Sequence, residues 1–168
     1  MNDPTVPHAH DDPSRELLRH TLATLSYRAA KALRGASEPF SNFRAGADSR
    51  SAGEILAHMC DLFDWATALA QGEHRWRSGP PAAWEADCAR FFRALETFDE
   101  VLASQAVLGF PIERLFQGPI ADALTHTGQL TMMRRLAGSP VRGENYAKAD
   151  VMTGRVGALQ ADPRVEFD

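Results

Sequence analysis

The sequence is poor in cysteine and has no long apolar run. Its only two cysteines, Cys60 and Cys88, fall in predicted helices and form no C-x-x-C pair, which indicates free thiols in a reducing cytosol. No apolar run approaches the ~18 residues of a membrane-spanning helix, and residues 1–12 lack the basic and apolar regions of an export signal. We therefore expect a cytoplasmic protein that has no membrane anchor.

The chain also lacks a basic excess that would neutralise phosphates. Its formal net charge is -4 and its pI is about 5.8, so neither nucleic acid nor an anionic membrane is an expected partner. Small molecules and proteins remain as candidate partners. Apolar residues make up 44% and charged residues 24% of the 168 residues, which is typical of one folded domain.

Strand signals are missing as well. No segment alternates apolar and polar residues with a period of two, and no internal repeat is present. The sequence therefore predicts an all-α fold in one domain over residues 12–168. Residues 1–11, with His8 and His10, are expected to be a disordered segment rather than a metal-binding tract.

The first two predicted helices have clear start and stop signals. Helix one has Asp12 as its N-cap, Pro13 in the first helical position and Gly35 at its end. Helix two opens with a capping box and spans about Ser51–Gln71. Residues 36–50 form a long connection between these helices, which indicates either a crossover or a lid.

Two further helices complete the predicted architecture. Helix three follows Pro81 and carries a regular apolar seam, and helix four begins near Pro119 and ends at Gly138. Residues from Val141 onward are expected to form an irregular tail that packs back on the helices. Four amphipathic helices most simply pack as a four-helix bundle.

Three side chains carry the candidate chemistry. His58 falls on the apolar face of helix two, and His126 falls on the apolar face of helix four. Asp122 lies four residues before His126, at a spacing that brings Cβ atoms within about 5–6 Å of each other. If interior, all three groups need polar partners, and one divalent cation would satisfy them together.

Simpler interpretations of these residues stay open. A histidine on an apolar face is more often a hydrogen-bonded core residue, and Asp122 so near Pro119 can be a first-turn acid stabilised by the helix dipole. A ferritin-like di-iron site is disfavoured, because no predicted helix contains a Glu-x-x-His pair. No nucleophile motif is present, and His74 and Trp76 are expected at the surface.

Several segments resemble the DinB-like superfamily. They are Ser51–Met59, Pro119–Leu130 and Arg134–Val141, with Gly143–Tyr146 and Gly154–Gly157 matching one branch. The resemblance implies a four-helix bundle with one divalent metal held by a histidine of helix two and an H-x-x-x-H pair of helix four. The corresponding residues are His58, Asp122 and His126, so this chain has aspartate where the superfamily usually has histidine.

The ligand change and the resemblance together set the expected function. A carboxylate is a harder ligand than imidazole, so this set favours zinc, iron or manganese over softer metal ions. Nickel is also known in the superfamily. The alternative interpretation is that the aspartate leaves the site weakened or empty. The resemblance implies a metal-dependent enzyme with hydrolase-like or thiol S-transferase chemistry acting on a small-molecule substrate or thiol. Glu54 or Asp61 is a candidate base, with a solvated acidic edge as the alternative for each.

A second function is consistent with the same sequence. The chain can be a non-catalytic, stress-associated protein, a homodimer that holds a metal or small ligand without turnover. The apolar residues Leu56, Phe63 and Phe92 would suit a helix-helix dimer contact, although each can instead belong to the core.

Overall fold

The structure is a computed structural model that describes residues 12–104 and 106–167. The predicted disorder of residues 1–11, including His8 and His10, lies outside the described residues. The described chain is mainly helical, which confirms the predicted all-α class. Its helices are α1 (Pro13–Leu33), α2 (Glu38–Ser41), α3 (Ala52–Ala70), α4 (Trp84–Ala103), α5 (Ile112–Leu115) and α6 (Ala121–Leu136).

Local signals set the ends of α1 and α3 as predicted. The Asp12 side chain accepts hydrogen bonds from the backbone N–H groups of Ser14 and Arg15, at 2.9 and 3.4 Å. Ser51 and Glu54 form the predicted capping box, in which each side chain accepts the other residue's backbone N–H. Gly72 follows α3 with a φ of 85°, a left-handed conformation that favours glycine.

The four long helices share one core. Helix α1 packs against α4 and α6, and α3 packs against the same two helices. The largest fully buried side chains come from α1, α3, α4 and α5, and include Trp84, Phe63, Phe91, Phe98 and Leu22, while α6 contributes Leu130 and Met133 to the same core. Complete burial of a side chain of this size stabilises the fold by roughly 1.5–3 kcal/mol.

The three residues of the predicted dimer contact are buried. Leu56 and Phe63 are 0% exposed and Phe92 is 7% exposed, so these residues belong to the core and present no apolar edge. The sequence pattern misleads here because α3 packs against both α4 and α6, and α4 packs against both α3 and α1, so each has apolar residues on more than one face. The core alternative for these three residues is the correct one.

The start of the last long helix also differs from the prediction. The chain is already helical from Ile112, and α5 continues through a π-helical turn, Phe116–Ile120, into α6. Pro119 lies within this wide turn and not at a helix start. Because proline lacks an N–H and its ring clashes with the carbonyl four residues earlier in an α-helix, a wider turn accommodates it. Asp122 is the second residue of α6, directly after this turn.

The connection and the tail both contain short elements. Residues 36–50 include the one-turn helix α2, and Arg44 forms an isolated β-bridge with Ser51. In the tail, β1 (Gly143–Glu144) pairs antiparallel with β2 (Glu166–Phe167), and Val156 is buried against the helices. The tail therefore packs back as expected, although the strand pair was not predicted. Among the residues described, no helix combines the length and apolarity that crossing a bilayer requires.

Candidate metal centre

The structure brings His58, Asp122 and His126 together, as predicted. His58 lies on α3, whereas Asp122 and His126 lie one turn apart on α6, and these two helices pack against each other. One potential ligand atom from each side chain lies within 4.8 Å of the other two. The imidazole ring centroids are 5.0 Å apart and the rings are nearly perpendicular. We refer to these three residues as the His-Asp-His cluster.

The separations within the cluster allow a shared ion, and the shorter of them also meets the geometry of a long hydrogen bond. His58 Nε2 lies 3.3 Å from Asp122 Oδ2, and His126 Nε2 lies 3.4 Å from Asp122 Oδ1. A charge-assisted hydrogen bond between nitrogen and carboxylate oxygen is shorter, at about 2.7–2.9 Å. Two ligands at about 2.1 Å from one tetrahedral ion stand about 3.4 Å apart. The nitrogen and oxygen donors also suit a divalent ion of borderline or hard character.

Gln129 orients the His126 ring. The Nδ1–H of His126 donates to Gln129 Oε1 at 2.8 Å, which leaves the Nε2 lone pair directed toward Asp122. Histidine ligands of metals commonly donate their second ring nitrogen in this way, which fixes the tautomer. No role for Gln129 was predicted from the sequence, although its position three residues after His126 on the same helix was a usable signal.

The cluster is open to solvent on the side of Asp122. The side chains of His126 and His58 are 11% and 20% exposed, whereas the side chain of Asp122 is 45% exposed. Asp122 is therefore not an interior acid, and the cost of burying a lone carboxylate gives no support to an ion here. The support comes from the convergence of the three side chains, and the exposure leaves room for further ligands.

The two candidate bases are engaged elsewhere. Glu54 accepts from the Ser51 backbone N–H and from Arg44, and the first of these hydrogen bonds is the main reason that its pKa lies below the ordinary 4.5. Asp61 is only 3% exposed and accepts from Arg90 at 2.6 Å and from the Gly79 N–H at 3.3 Å. Asp61 is thus neither a solvated acid nor a free base, and Glu54 is a helix cap.

Neither thiol belongs to the cluster. Both cysteines are free, as predicted, and the Cys60 Sγ donates to the backbone carbonyl of Asp87 at 3.4 Å. Burial raises the pKa of Cys60 far above its ordinary value, and burial likewise raises the pKa of Cys88 to about 12. Both thiols are therefore protonated at neutral pH, which does not suit a nucleophile or a metal ligand.

Trp76 lies beside the cluster, although the sequence predicted only that it would be at the surface. Trp76 and His74 are exposed, as expected of the segment between α3 and α4. However, the Trp76 ring centroid lies 5.8 Å from that of His58 and 5.6 Å from that of Trp65. The segment is neither helix nor strand, so no periodicity in the sequence indicated where its side chains lie.

Comparison with known proteins adds no relative. No family model, curated protein or solved structure matches the chain. The resemblance to the DinB-like superfamily therefore stays a prediction, carried by the motif residues themselves. The structural indication of function is the geometry of the His-Asp-His cluster and its surroundings.

Proposed function

We propose that this chain is a DinB-like four-helix bundle that binds one divalent metal ion through His58, Asp122 and His126. The observation that carries this proposal is the convergence of the three side chains at separations suited to a common ion. The packing of α1 and α3 against both α4 and α6 supports the bundle. Zinc, iron or manganese suits the two-histidine, one-carboxylate set, and nickel is a further candidate.

We further propose a catalytic use of the ion, in a metal-dependent hydrolase-like or thiol S-transferase reaction of a small molecule. Three protein ligands leave coordination positions free, and the half-exposed Asp122 side chain keeps the site accessible. A bound divalent ion supplies Lewis-acid chemistry, in that it polarises a carbonyl or lowers the pKa of a bound water or thiol.

The surrounding residues contribute orientation and shielding. Gln129 holds the His126 tautomer, Asp122 contributes a negative charge, and the Trp76 ring covers one side of His58. Since both cysteines are protonated at neutral pH, a thiol in such a reaction has to come from the substrate. A cytoplasmic location is part of the proposal, because free thiols suit a reducing compartment.

The non-catalytic homodimer stays an alternative prediction. The residues that suggested its interface, Leu56, Phe63 and Phe92, are in the core, so a dimer needs a different surface. Turnover separates the two functions. Metal-dependent consumption of a low-molecular-weight thiol and an electrophile, or hydrolysis of an ester, is expected of the enzyme, whereas bound metal without turnover in either assay favours the binding protein.

Elemental analysis of the purified protein tests the metal site itself. We expect about one equivalent of a divalent metal in the wild type and much less in His58→Ala and Asp122→Ala. His20→Ala is the matched control, because His20 is exposed on α1 and outside the cluster. Equal metal contents in all four folded proteins would reject the proposed site.

A further inference from the structure

A cavity of about 490 Å³ adjoins the His-Asp-His cluster. His126 and its partner Gln129 form part of the wall, so the cavity and the cluster share one imidazole. The rest of the wall comes from α3, from the exposed face of α6 and from the connection between α1 and α3. A volume of this size is typical of sites for small organic ligands.

The wall of the cavity is mostly apolar and adaptable. Ile55, Met132 and Met133 line it, and Met132 is 56% exposed although its side chain is apolar. Methionine is unbranched and polarizable, so it adjusts to ligands of different shapes. An apolar ligand here would cover methionine surface that otherwise contacts water, which favours binding.

One positive charge stands in this apolar wall. Arg50 lines the cavity, is exposed, and makes no ion pair or side-chain hydrogen bond with any described residue. By contrast, Arg44 in the same connection is held by Glu54 at 2.9 Å. None of the described lining residues is acidic, although the chain as a whole has a net charge of -4. The cavity therefore favours anions within an acidic protein.

We propose that this cavity binds an apolar organic carboxylate, with the carboxylate on Arg50 and the apolar part along Met132, Met133 and Ile55. Guanidinium groups match the planar geometry of carboxylates and bind them through charge-assisted hydrogen bonds. Such a ligand extends past His126 toward the cluster. Its role as the substrate of the metal site rests on the proposed function, whereas its binding to the cavity does not need the ion.

Methionine methyl NMR reports directly on this cavity. The chain has five methionines, of which Met132 and Met133 line the cavity, Met59 is in the core and Met152 is in the tail. With ¹³C-methyl-labelled protein, titration with hexanoate should give saturable shifts of the Met132 and Met133 signals and leave those of Met59 and Met152 unchanged. Hexanamide, which has the same shape without the charge, should bind more weakly.

Matched variants test whether the charge of Arg50 contributes to hexanoate binding. Arg50→Gln should weaken hexanoate binding about fivefold, as expected for a partly solvated carboxylate contact, and leave hexanamide binding unchanged. Arg93→Gln is the control, because Arg93 is an exposed arginine on α4, which does not line the cavity. Unchanged hexanoate affinity in Arg50→Gln, or equal affinities for hexanoate and hexanamide in the wild type, would overturn the proposal.

His58→Ala distinguishes failure of this proposal from failure of the proposed metal site. His58 does not line the cavity, so hexanoate should bind this variant even after the metal is lost. Loss of hexanoate binding together with the metal would mean that the carboxylate coordinates the ion, which overturns the cavity proposal and supports the metal site. Hexanoate binding to a wild type that holds no metal would leave the cavity proposal standing and reject the metal site.

Discussion

Two clusters of ionisable side chains in this molecule differ in the length of their contacts and in their charge balance. In the first, which we call the tail clamp, Lys31 donates to Glu144 at 2.9 Å and to Glu166 at 2.6 Å, and the Tyr27 hydroxyl donates to Glu144 at 2.7 Å. The second is the His-Asp-His cluster, where the closest separations are 3.3 and 3.4 Å. The clamp contains its own cation, and the cluster contains none that is permanently charged.

The same contrast holds for other carboxylates in the described chain. Asp61 pairs with Arg90 and Asp99 pairs with Arg19, both at normal ion-pair distances. Asp122 has no lysine or arginine within ion-pair distance among the described residues, and its neighbours are two imidazoles. The clamp is therefore a structural contact that is complete within the chain, whereas the cluster has no lysine or arginine of its own, which agrees with the proposed cation site.

The largest expected effect is on the tail clamp. Glu144→Ala leaves the buried Tyr27 hydroxyl without its acceptor and removes one carboxylate from Lys31, so the free energy of unfolding should fall by about 3 kcal/mol. Urea denaturation measures the change. Glu73→Ala, in an exposed pair with Arg75, should change it by less than about 0.5 kcal/mol. Equal effects of the two substitutions would contradict the assigned role of the clamp.

A smaller effect is expected when the support of His126 is removed. Gln129→Leu deprives the His126 Nδ1–H of its acceptor, and the metal affinity should fall about 10- to 100-fold without loss of the fold. Calorimetric metal titration with a melting curve checks both quantities. Gln129→Glu retains an acceptor oxygen and should bind metal nearly as the wild type does; if both variants behave alike, Gln129 does not orient the ring.

Trp76 should report on the cluster and leave the clamp unaffected. Because its ring lies 5.8 Å from His58, a quenching ion such as Co²⁺ should change the tryptophan fluorescence. Trp76→Phe should reduce this change and leave a remainder from Trp65, which lines a pocket together with Asp122, while the metal affinity shifts by no more than about twofold. Trp84→Phe is the comparison, since Trp84 is buried beside Phe40. A metal response of unchanged size in Trp76→Phe would place the ion away from His58.

The smallest expected effect is the acid sensitivity of the clamp. The hydrogen bond from Lys31 is the chief cause that holds the pKa of Glu166 below its ordinary 4.5. The folded protein therefore binds fewer protons than the unfolded chain, and this stabilisation is present above pH 4.5 and lost as the pH falls through the folded-state pKa. Glu166→Gln should flatten the decline in melting temperature below pH 4.5, and an unchanged decline would contradict this role.

Helix ends and the cluster could be predicted from the sequence because their signals are local. Asp12 with Pro13 and Ser51 with Glu54 cap their helices through neighbours within three residues. His126 and Asp122 lie one turn apart on one helix, so only the pairing of α3 with α6 had to be inferred.

Other features could not be predicted, because they depend on contacts between residues that are distant in the sequence. Asp61 is buried because Arg90, 29 residues later, pairs with it. The first N–H of α4, on Trp84, is capped at 2.8 Å by Glu38 from α2, 46 residues earlier. The wide turn at Pro119 and the approach of Trp76 to His58 have no periodic signal either.

Titration of the metal-free protein with Zn²⁺ tests the central claim most directly. We predict one saturable site in the wild type and in Asp122→His, which restores a ligand of the other common type at the same spacing. The affinity should fall more than about 100-fold in His58→Ala, His126→Ala and Asp122→Asn, because each removes a ligand. Zn²⁺ binding of equal strength in the wild type and these three folded variants, or no saturable binding by the wild type, would contradict the account.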